Sequence, residues 1–320
     1  MTKVVITDHE LPDLAIEQEL AAEHGAEIVE AQAETPAEVI DAADGADGLV
    51  VTYAPITDEV FEALDDLSVV ARLGIGVDNV DIESATEHDV AVTNVPDYCK
   101  DEVPEHALAL IMACERRIRS FDAAIRNGTW DWKEGKPMHR LRGQTLGLAG
   151  FGMIPRSLVE KTRALGFEYV GYDPYVSEAE FAESGVEKVS FEEMLNRADV
   201  VSIHTPLTEE TRDLFDADAF ARMSENATLV NTARGGIVDT DALAAALRSG
   251  EIGAAGLDVL PEEPPEDTPL KDCENAVLTP HTAFYSEESI DVLRRSATES
   301  VFDVLAGDEI DNVVNPSVLE

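Results

Sequence analysis

The sequence predicts an α/β protein built from two doubly wound parallel-sheet domains. Three observations carry this: a length of 320 residues, an apolar fraction of 44%, and two successive series in which β-rich runs alternate with helical patterns. Single hydrophobic cores stop growing at roughly 250 to 300 residues, so two are expected. Strands and helices alternating along a chain imply βαβ units and parallel sheets.

The first series runs "KVVITD", "AEIVEA", "DGLVVT", "SVVARLG" and "VAVTNV", separated by stretches such as "PDLAIEQELAAEH" and "TPAEVIDAAD". Next comes "DEVPEHALALIMACERRIRSFDAAIRNG", with apolar residues three and four apart and an early Pro104, where a missing N–H matters least. It predicts one long connecting helix, from about residue 101 to 126, belonging to neither sheet. The second series begins at "TLGLAGFG" and continues through "EYVGYD", "VVSIHT", "TLVNTA", "AAGLDV" and "AVLTP". A final helix is expected over roughly 287 to 305, then the tail "DEIDNVVNPSVLE". The Pro-rich "PEEPPEDTP" is short enough to be a loop. The economical arrangement inserts the second domain into the first, with residues 1–99 and 288–320 forming one and 100–287 the other. Two crossings between them predict a hinged cleft.

Composition limits the partners. With 66 acidic and 23 basic residues the net charge is −43, which repels nucleic acid and anionic membranes. It also destabilises the compact state in dilute buffer, while at molar salt the Debye length falls to about 3 Å and most surface repulsion is screened. Such a surface suggests adaptation to a salt-rich cytoplasm. Cys99, Cys114 and Cys273 are far apart, without C-x-x-C spacing, so neither a disulfide framework nor a metal site is expected. No apolar run reaches the roughly 20 residues of a membrane helix, and "MTKVVITDHE" enters a strand pattern at once, so a cytoplasmic protein is expected.

The stretch "TLGLAGFGMIPRSLVEKTRALGFEYVGYD" carries the parts of a nucleotide-binding βαβ unit. Gly150 and Gly152 allow a tight turn and close backbone approach, and the helix opening at Met153 and Ile154 aims free N–H groups at a diphosphate. Asp173, about 20 residues on, can accept from ribose hydroxyls and repel a 2′-phosphate, which favours NAD over NADP. Pro155 stands where the fingerprint has its third glycine. In the first helical turn its missing N–H has no partner to lose, so the expectation is a slightly wider helix–strand spacing rather than a lost site.

Three further stretches end strands: "LVNTARGGIVD", "GLDVLPEEPPED" and "VLTPHTAFYSEES". Ligands in open α/β sheets bind beyond the carboxyl ends of strands, so Arg234, Asp258, Glu263 and His281 can converge on one crevice. With "RLGIGVDNVD", "NTARGGIVD", the glycine turn and the E-P…P-H pair in order, the chain resembles the D-isomer-specific 2-hydroxyacid dehydrogenases over nearly its whole length. "TPHTAFYSEES" and "YDPY" place the likeness nearest the C-terminal-binding-protein-like and phosphoglycerate-dehydrogenase-like branch. The resemblance implies a Rossmann-type NAD domain inserted into a flavodoxin-like substrate domain, and a catalytic set of Arg234, Glu263 and His281. It further implies a substrate carboxylate held by backbone amides near Ile75, Gly76 and Val77, and cofactor contacts from Thr205, Thr211, Thr232 and Ala233. The sequence stops short of the regulatory domain of some phosphoglycerate dehydrogenases, so feedback control by that route is not expected.

The chemistry agrees with those assignments. Reducing a 2-keto acid requires a proton for the new alkoxide, and imidazolium is the side chain whose ordinary pKa suits it. His281 would supply that proton, Glu263 would favour its charged form, and Arg234 would offer paired donors to carboxylate and keto oxygen. Glu262 and Glu266 are rivals for the place of Glu263. Asp258 could accept from the nicotinamide carboxamide. Tyr98 and Phe284 are candidates for the substrate pocket, Phe284 as a wall favouring apolar substituents; His106 and His204 read as structural or positioning residues.

The expected activity is NAD-dependent reduction of small 2-keto acids to D-2-hydroxy acids. One alternative is 3-phosphoglycerate dehydrogenase, for which Arg72, Lys100 and Arg140 are the available cations; the other is a non-catalytic NAD(H)-sensing protein. The apolar residues between about 101 and 140, Trp130 and Trp132 among them, suggest a homodimer built on that segment.

Overall fold

A computed structural model describes residues 1–319. The chain divides into two compact units, Met1–Cys99 with Ser286–Glu320, and Lys100–Tyr285. The second boundary falls just before the 287/288 junction expected from sequence. Ser286 is the N-cap of the last helix, its Oγ accepting from the Ser289 N–H at 2.9 Å, so it folds with the helix it starts.

The first unit holds strands β1 (Lys3–Ile6), β2 (Glu27–Glu30), β3 (Gly48–Val51), β4 (Val69–Arg72) and β5 (Ala91–Thr93). Helices α1 (Ala15–His24), α2 (Pro36–Ala42), α3 (Asp58–Ala63) and α4 (Ile82–Glu87) connect them. All strand pairs are parallel, in the order β2-β1-β3-β4-β5, a flavodoxin-like sheet. The central strands are short apolar runs because both faces are covered. Val5, Leu49, Val51 and Val70 pack into one core with Val39 and Phe61, while Val4, Ile6, Val50 and Val69 face another with Leu20 and Phe302. Helix α2 starts where the sequence places Thr35, Pro36 and Glu38: the Thr35 side chain and Glu38 form a reciprocal capping box.

The second unit opens with α5 (Glu102–Glu115) and α6 (Ile118–Arg126). It continues through β6 (Thr145–Ala149), α7 (Met153–Thr162), β7 (Glu168–Tyr172), α8 (Glu178–Glu183), β8 (Glu187–Lys188) and α9 (Phe191–Arg197). Then follow β9 (Val200–Ile203), α10 (Ala217–Phe220), β10 (Thr228–Asn231), α11 (Thr240–Ser249), β11 (Ala254–Leu257) and β12 (Ala276–Leu278). The parallel sheet has the order β12-β11-β10-β9-β6-β7-β8. The chain moves outward from β6 through β7 and β8, then returns to β9 on the other side of β6. That reversal makes the carboxyl ends of β6 and β9 the switch point of a Rossmann-type sheet.

Two expectations are corrected here. The long connecting helix is two helices, broken where Arg117 adopts a left-handed conformation with φ 52°. Nor is it free of the sheets: α5 buries Ala107, Leu110, Ile111 and Cys114, and a Cβ on Gly256 of β11 would lie 2.9 Å from the Leu110 Cβ. Glycine in the strand lets the helix settle onto it. Strand β8 was not anticipated, since Glu187 and Lys188 carry no apolar signal.

The chain returns to the first unit as α12 (Glu287–Ala306), close to its expected span. Arg294, buried on this helix, makes a bidentate pair with buried Glu17 of α1 at 2.8 and 2.7 Å. Among the described residues no helix is long and apolar enough to cross a membrane.

Candidate active site

The turn after β6 uses its two glycines differently. Gly150 has φ +92° and donates its N–H to the Tyr172 carbonyl at 2.8 Å; a Cβ there would sit 2.8 Å from the His204 carbonyl carbon. Only glycine fits. Gly152 caps α7, and a Cβ on it would meet nothing within 4 Å, so its outer side is open to a ligand. Met153 and Ile154 supply first-turn N–H groups without intrahelical acceptors. Pro155, third residue of the helix and buried, forfeits no hydrogen bond there. Asp173 follows β7 directly, with Oδ2 accepting from the Phe151 N–H and Oδ1 from the Tyr175 N–H, each at 2.9 Å. Both oxygens are oriented, and each keeps a lone pair.

The hydroxyls of Thr205 and Thr232, beyond β9 and β10, are buried without a hydrogen-bond partner. Buried hydroxyls are rarely left so, and a polar ligand along the ends of these strands would satisfy them. Together with the open face of Gly152 and the fixed Asp173 carboxylate, they fit a dinucleotide. The Ala233 N–H is held by Asn231 Oδ1 at 2.9 Å. The Thr211 hydroxyl is engaged within its own loop, donating to the Pro206 carbonyl at 2.6 Å and accepting from the Thr208 N–H at 2.7 Å.

Arg234, Glu263 and His281 follow β10, β11 and β12, three adjacent strands. A Cβ on Gly235 would lie 1.9 Å from the Leu260 carbonyl carbon, so glycine beside Arg234 lets the loops after β10 and β11 touch. Glu263 Oε1 accepts from the Leu260 N–H at 2.8 Å and Oε2 meets His281 Nδ1 at 2.5 Å. Glu263, rather than Glu262 or Glu266, makes this bond. Burial pushes the Glu263 carboxyl up, but the hydrogen bonds from His281 and Leu260 outweigh it and hold the carboxyl below its ordinary value. The Phe284 ring stands edge-on to the imidazole, with centroids 6.2 Å apart.

Residues 108–283 match the D-isomer specific 2-hydroxyacid dehydrogenase, NAD binding domain family. The chain belongs to the D-isomer specific 2-hydroxyacid dehydrogenases. It is similar to the D-3-phosphoglycerate dehydrogenase of Methanocaldococcus jannaschii, with 40% identity over 318 residues, 98% of this chain and 60% of that enzyme. A Mycobacterium leprae enzyme of the same name is 41% identical over 84% of this chain and 51% of its own length. The chain thus spans between about half and 60% of the length of these relatives. Among solved structures, a Thermus thermophilus protein has a TM-score of 0.88 and 35% identity, covering 98% of this chain and 100% of its own.

The remaining site residues sort by unit. In the first unit, Ile75, Gly76 and Val77 form the loop after β4, and their N–H groups have no acceptor among the described residues. Asn94 Nδ2 donates to the Ile75 carbonyl at 2.7 Å, which fixes the loop. Tyr98 is half-buried against the core of that unit. Arg72 lays its guanidinium over Gly74 and donates to the Leu73 carbonyl at 2.8 Å.

Arg140 does not lie near the strand ends that carry His281. It lines a cavity of about 350 Å³ with Arg117, His139, Arg142, Glu115 and Asp199, at the amino ends of β6, β9 and β10. The sheet is parallel, so that is the opposite edge of the same unit.

Asp258 does more than the sequence foretold. Its buried carboxylate accepts from the Thr279 hydroxyl at 2.6 Å and the Thr282 N–H at 3.0 Å on Oδ1, and from the Ala283 N–H at 2.8 Å on Oδ2. The His281 N–H reaches the Asp258 carbonyl at 2.7 Å. This residue builds the loop that presents the histidine, whose own φ is +49°. His106 on α5 joins the same cluster, its Nε2 lying 2.9 Å from Thr279 Oγ1 and 3.4 Å from Asp258 Oδ1. With a sequence separation of 173 between His106 and Thr279, no spacing rule pairs them.

Proposed function

We propose that the protein reduces 2-keto acids to D-2-hydroxy acids with NADH, His281 giving the proton to the substrate oxygen. The observation that carries this reading is the Glu263–His281 pair at the same sheet edge as an intact glycine turn. When bound, NADH supplies the hydride. Gly150, Gly152 and the first turn of α7 hold its pyrophosphate, Asp173 takes the ribose hydroxyls, and Thr205, Thr232 and Ala233 line its path. The N–H groups of Ile75, Gly76 and Val77 receive the substrate carboxylate. Arg234 polarises the keto oxygen, and Glu263 stabilises the imidazolium while fixing which nitrogen faces substrate. The intact Arg, Glu and His set argues against a purely NAD-sensing role.

Asp173 supports NADH over NADPH, since a carboxylate at that point repels a 2′-phosphate. An acyclic imino acid reductase of similar fold, with TM-score 0.88, 26% identity and coverage of 98% of this chain and 100% of its own, was solved with NADPH and D-Arg, so both cofactors enter the assay below. The relatives named D-3-phosphoglycerate dehydrogenase favour a second reading, in which the acid is phosphorylated. Of the three cations available to it, Arg72 ends β4 and donates to the Leu73 carbonyl, Lys100 opens the second unit, and Arg140 sits at the far edge of that unit, which counts against this reading. Exposed Ile118, Ile125, Trp130 and Trp132 support a homodimer through this segment.

The deciding experiment is a panel of 2-keto acids, 3-phosphohydroxypyruvate included, assayed with NADH and NADPH in molar salt. Turnover of an apolar keto acid with NADH is expected; no NADH oxidation across the panel overturns the proposal. Sedimentation in the same buffer tests the dimer.

A further inference from the structure

We propose that His106 is a positioning residue that, through Thr279, orients the Asp258 carboxylate and with it the loop carrying His281; the inference rests on the NADH placement proposed above, with the nicotinamide carboxamide meeting Asp258. The direction of the chain of bonds follows from counting protons. Thr279 has one hydroxyl proton, and at 2.6 Å from a carboxylate oxygen it must donate to Asp258. Its other contact, His106 Nε2 at 2.9 Å, must therefore donate to it. So Nε2 carries a proton, and the order runs from His106 through Thr279 to Asp258 Oδ1.

The consequence is an asymmetric carboxylate. Oδ1 takes the Thr279 hydroxyl and the Thr282 N–H, with His106 Nε2 a further 3.4 Å away. Among the described residues Oδ2 takes only the Ala283 N–H. Oδ2 is therefore the oxygen left with capacity for the carboxamide of a bound nicotinamide. His106 stands on α5, which is itself packed on β11, so the anchor belongs to the rigid layer of the unit rather than to the loop it steadies. A left-handed backbone at His281, unfavourable for a residue with a Cβ, persists where its surroundings over-determine it. Here the determinants are the Asp258 carbonyl and carboxylate, and His106 completes the set.

The test uses the full chain in high salt, with His106→Ala, His106→Gln, Thr279→Val and Thr279→Ser. NADH and ADP-ribose binding are measured by titration calorimetry, and amide exchange is followed at Thr282 and Ala283. Because a hydrogen bond to a charged group is at stake, His106→Ala and Thr279→Val should weaken NADH by about tenfold. ADP-ribose, which lacks the nicotinamide, should bind as before. Gln at 106 and Ser at 279 keep the donor and should restore NADH affinity, and exchange at Thr282 and Ala283 should quicken only in the two deletions. If His106→Ala does not fold, Thr279→Val alone carries the comparison. Unchanged NADH affinity with unchanged exchange overturns the inference, and so does an equal loss of NADH and ADP-ribose. A keto-acid panel that fails while the NADH and ADP-ribose difference stands overturns the proposed reduction instead.

Discussion

Glu263 Oε2 and His281 Nδ1 lie 2.5 Å apart, with the other carboxylate oxygen tied to the Leu260 N–H at 2.8 Å. The acid is thus fixed before it fixes the histidine. General acid catalysis contributes about 10²–10⁴-fold, so His281→Ala should lower kcat by that range. Glu263→Gln should lower it about tenfold, through a lost charge-assisted bond. Glu263 is held below its ordinary 4.5, so the pair persists as pH falls and breaks only beneath that value. A wild-type profile that loses activity through Glu263 protonation above pH 4.5 would contradict the assignment.

Pro155 occupies the third position of α7, where no N–H is used. Pro155→Gly should change NADH affinity by less than about threefold, because both pyrophosphate-facing glycines are already present. Titration of the variant decides it; a large gain in affinity would show the proline to be a lesion.

His204 presents Nε2 to Ser202 Oγ at 2.9 Å, and burial pushes its pKa from 6.5 down to about 3. Between those values the unfolded chain binds a proton that the folded chain refuses, so stability falls as pH drops below 6.5. The loss should reach about 2 kcal/mol by pH 5. His204→Asn removes this slope, and the difference between urea melts of the two proteins cancels the charge repulsion they share.

Arg294 and Glu17 are both buried, joining α12 to α1. Arg294→Ala leaves Glu17 as an uncompensated charge and should cost about 3–5 kcal/mol. Replacing both residues with apolar ones of similar size should recover most of it, as chemical denaturation of the double variant would show.

The charge of −43 predicts a strong dependence on salt. Tm should rise steadily from dilute buffer to molar NaCl as the Debye length shrinks from about 30 to about 3 Å. A Tm that stays flat across that range would mean the acidic surface is not self-repelling.

Much of this was legible in the chain. Apolar runs such as "GLVV" and "VVSI" mark strands covered on both faces, and the alternation with helices dictates parallel sheets. The glycine turn, Asp173 and the three strand-end residues could be named because a parallel sheet brings all its carboxyl ends to one edge. The break at Arg117 was hidden, since the apolar spacing runs on past it and only a backbone dihedral of the folded chain reveals it. Strand β8 was hidden because two charged residues pair at a sheet edge without any apolar pattern.

Sequence by itself determined the fold class, the order of elements apart from β8 and the α5–α6 break, and the identity of the residues at the strand ends, because these follow from local periodicity and from the rules of parallel sheets. Only the tertiary structure decided which glutamate meets His281, that Arg140 faces the opposite edge of its sheet, and that His106 reaches Thr279 and Asp258. Those are contacts between side chains far apart along the chain, and a hydrogen bond of 2.5 to 3 Å is set by how helices and loops pack in three dimensions, which no spacing along one dimension encodes.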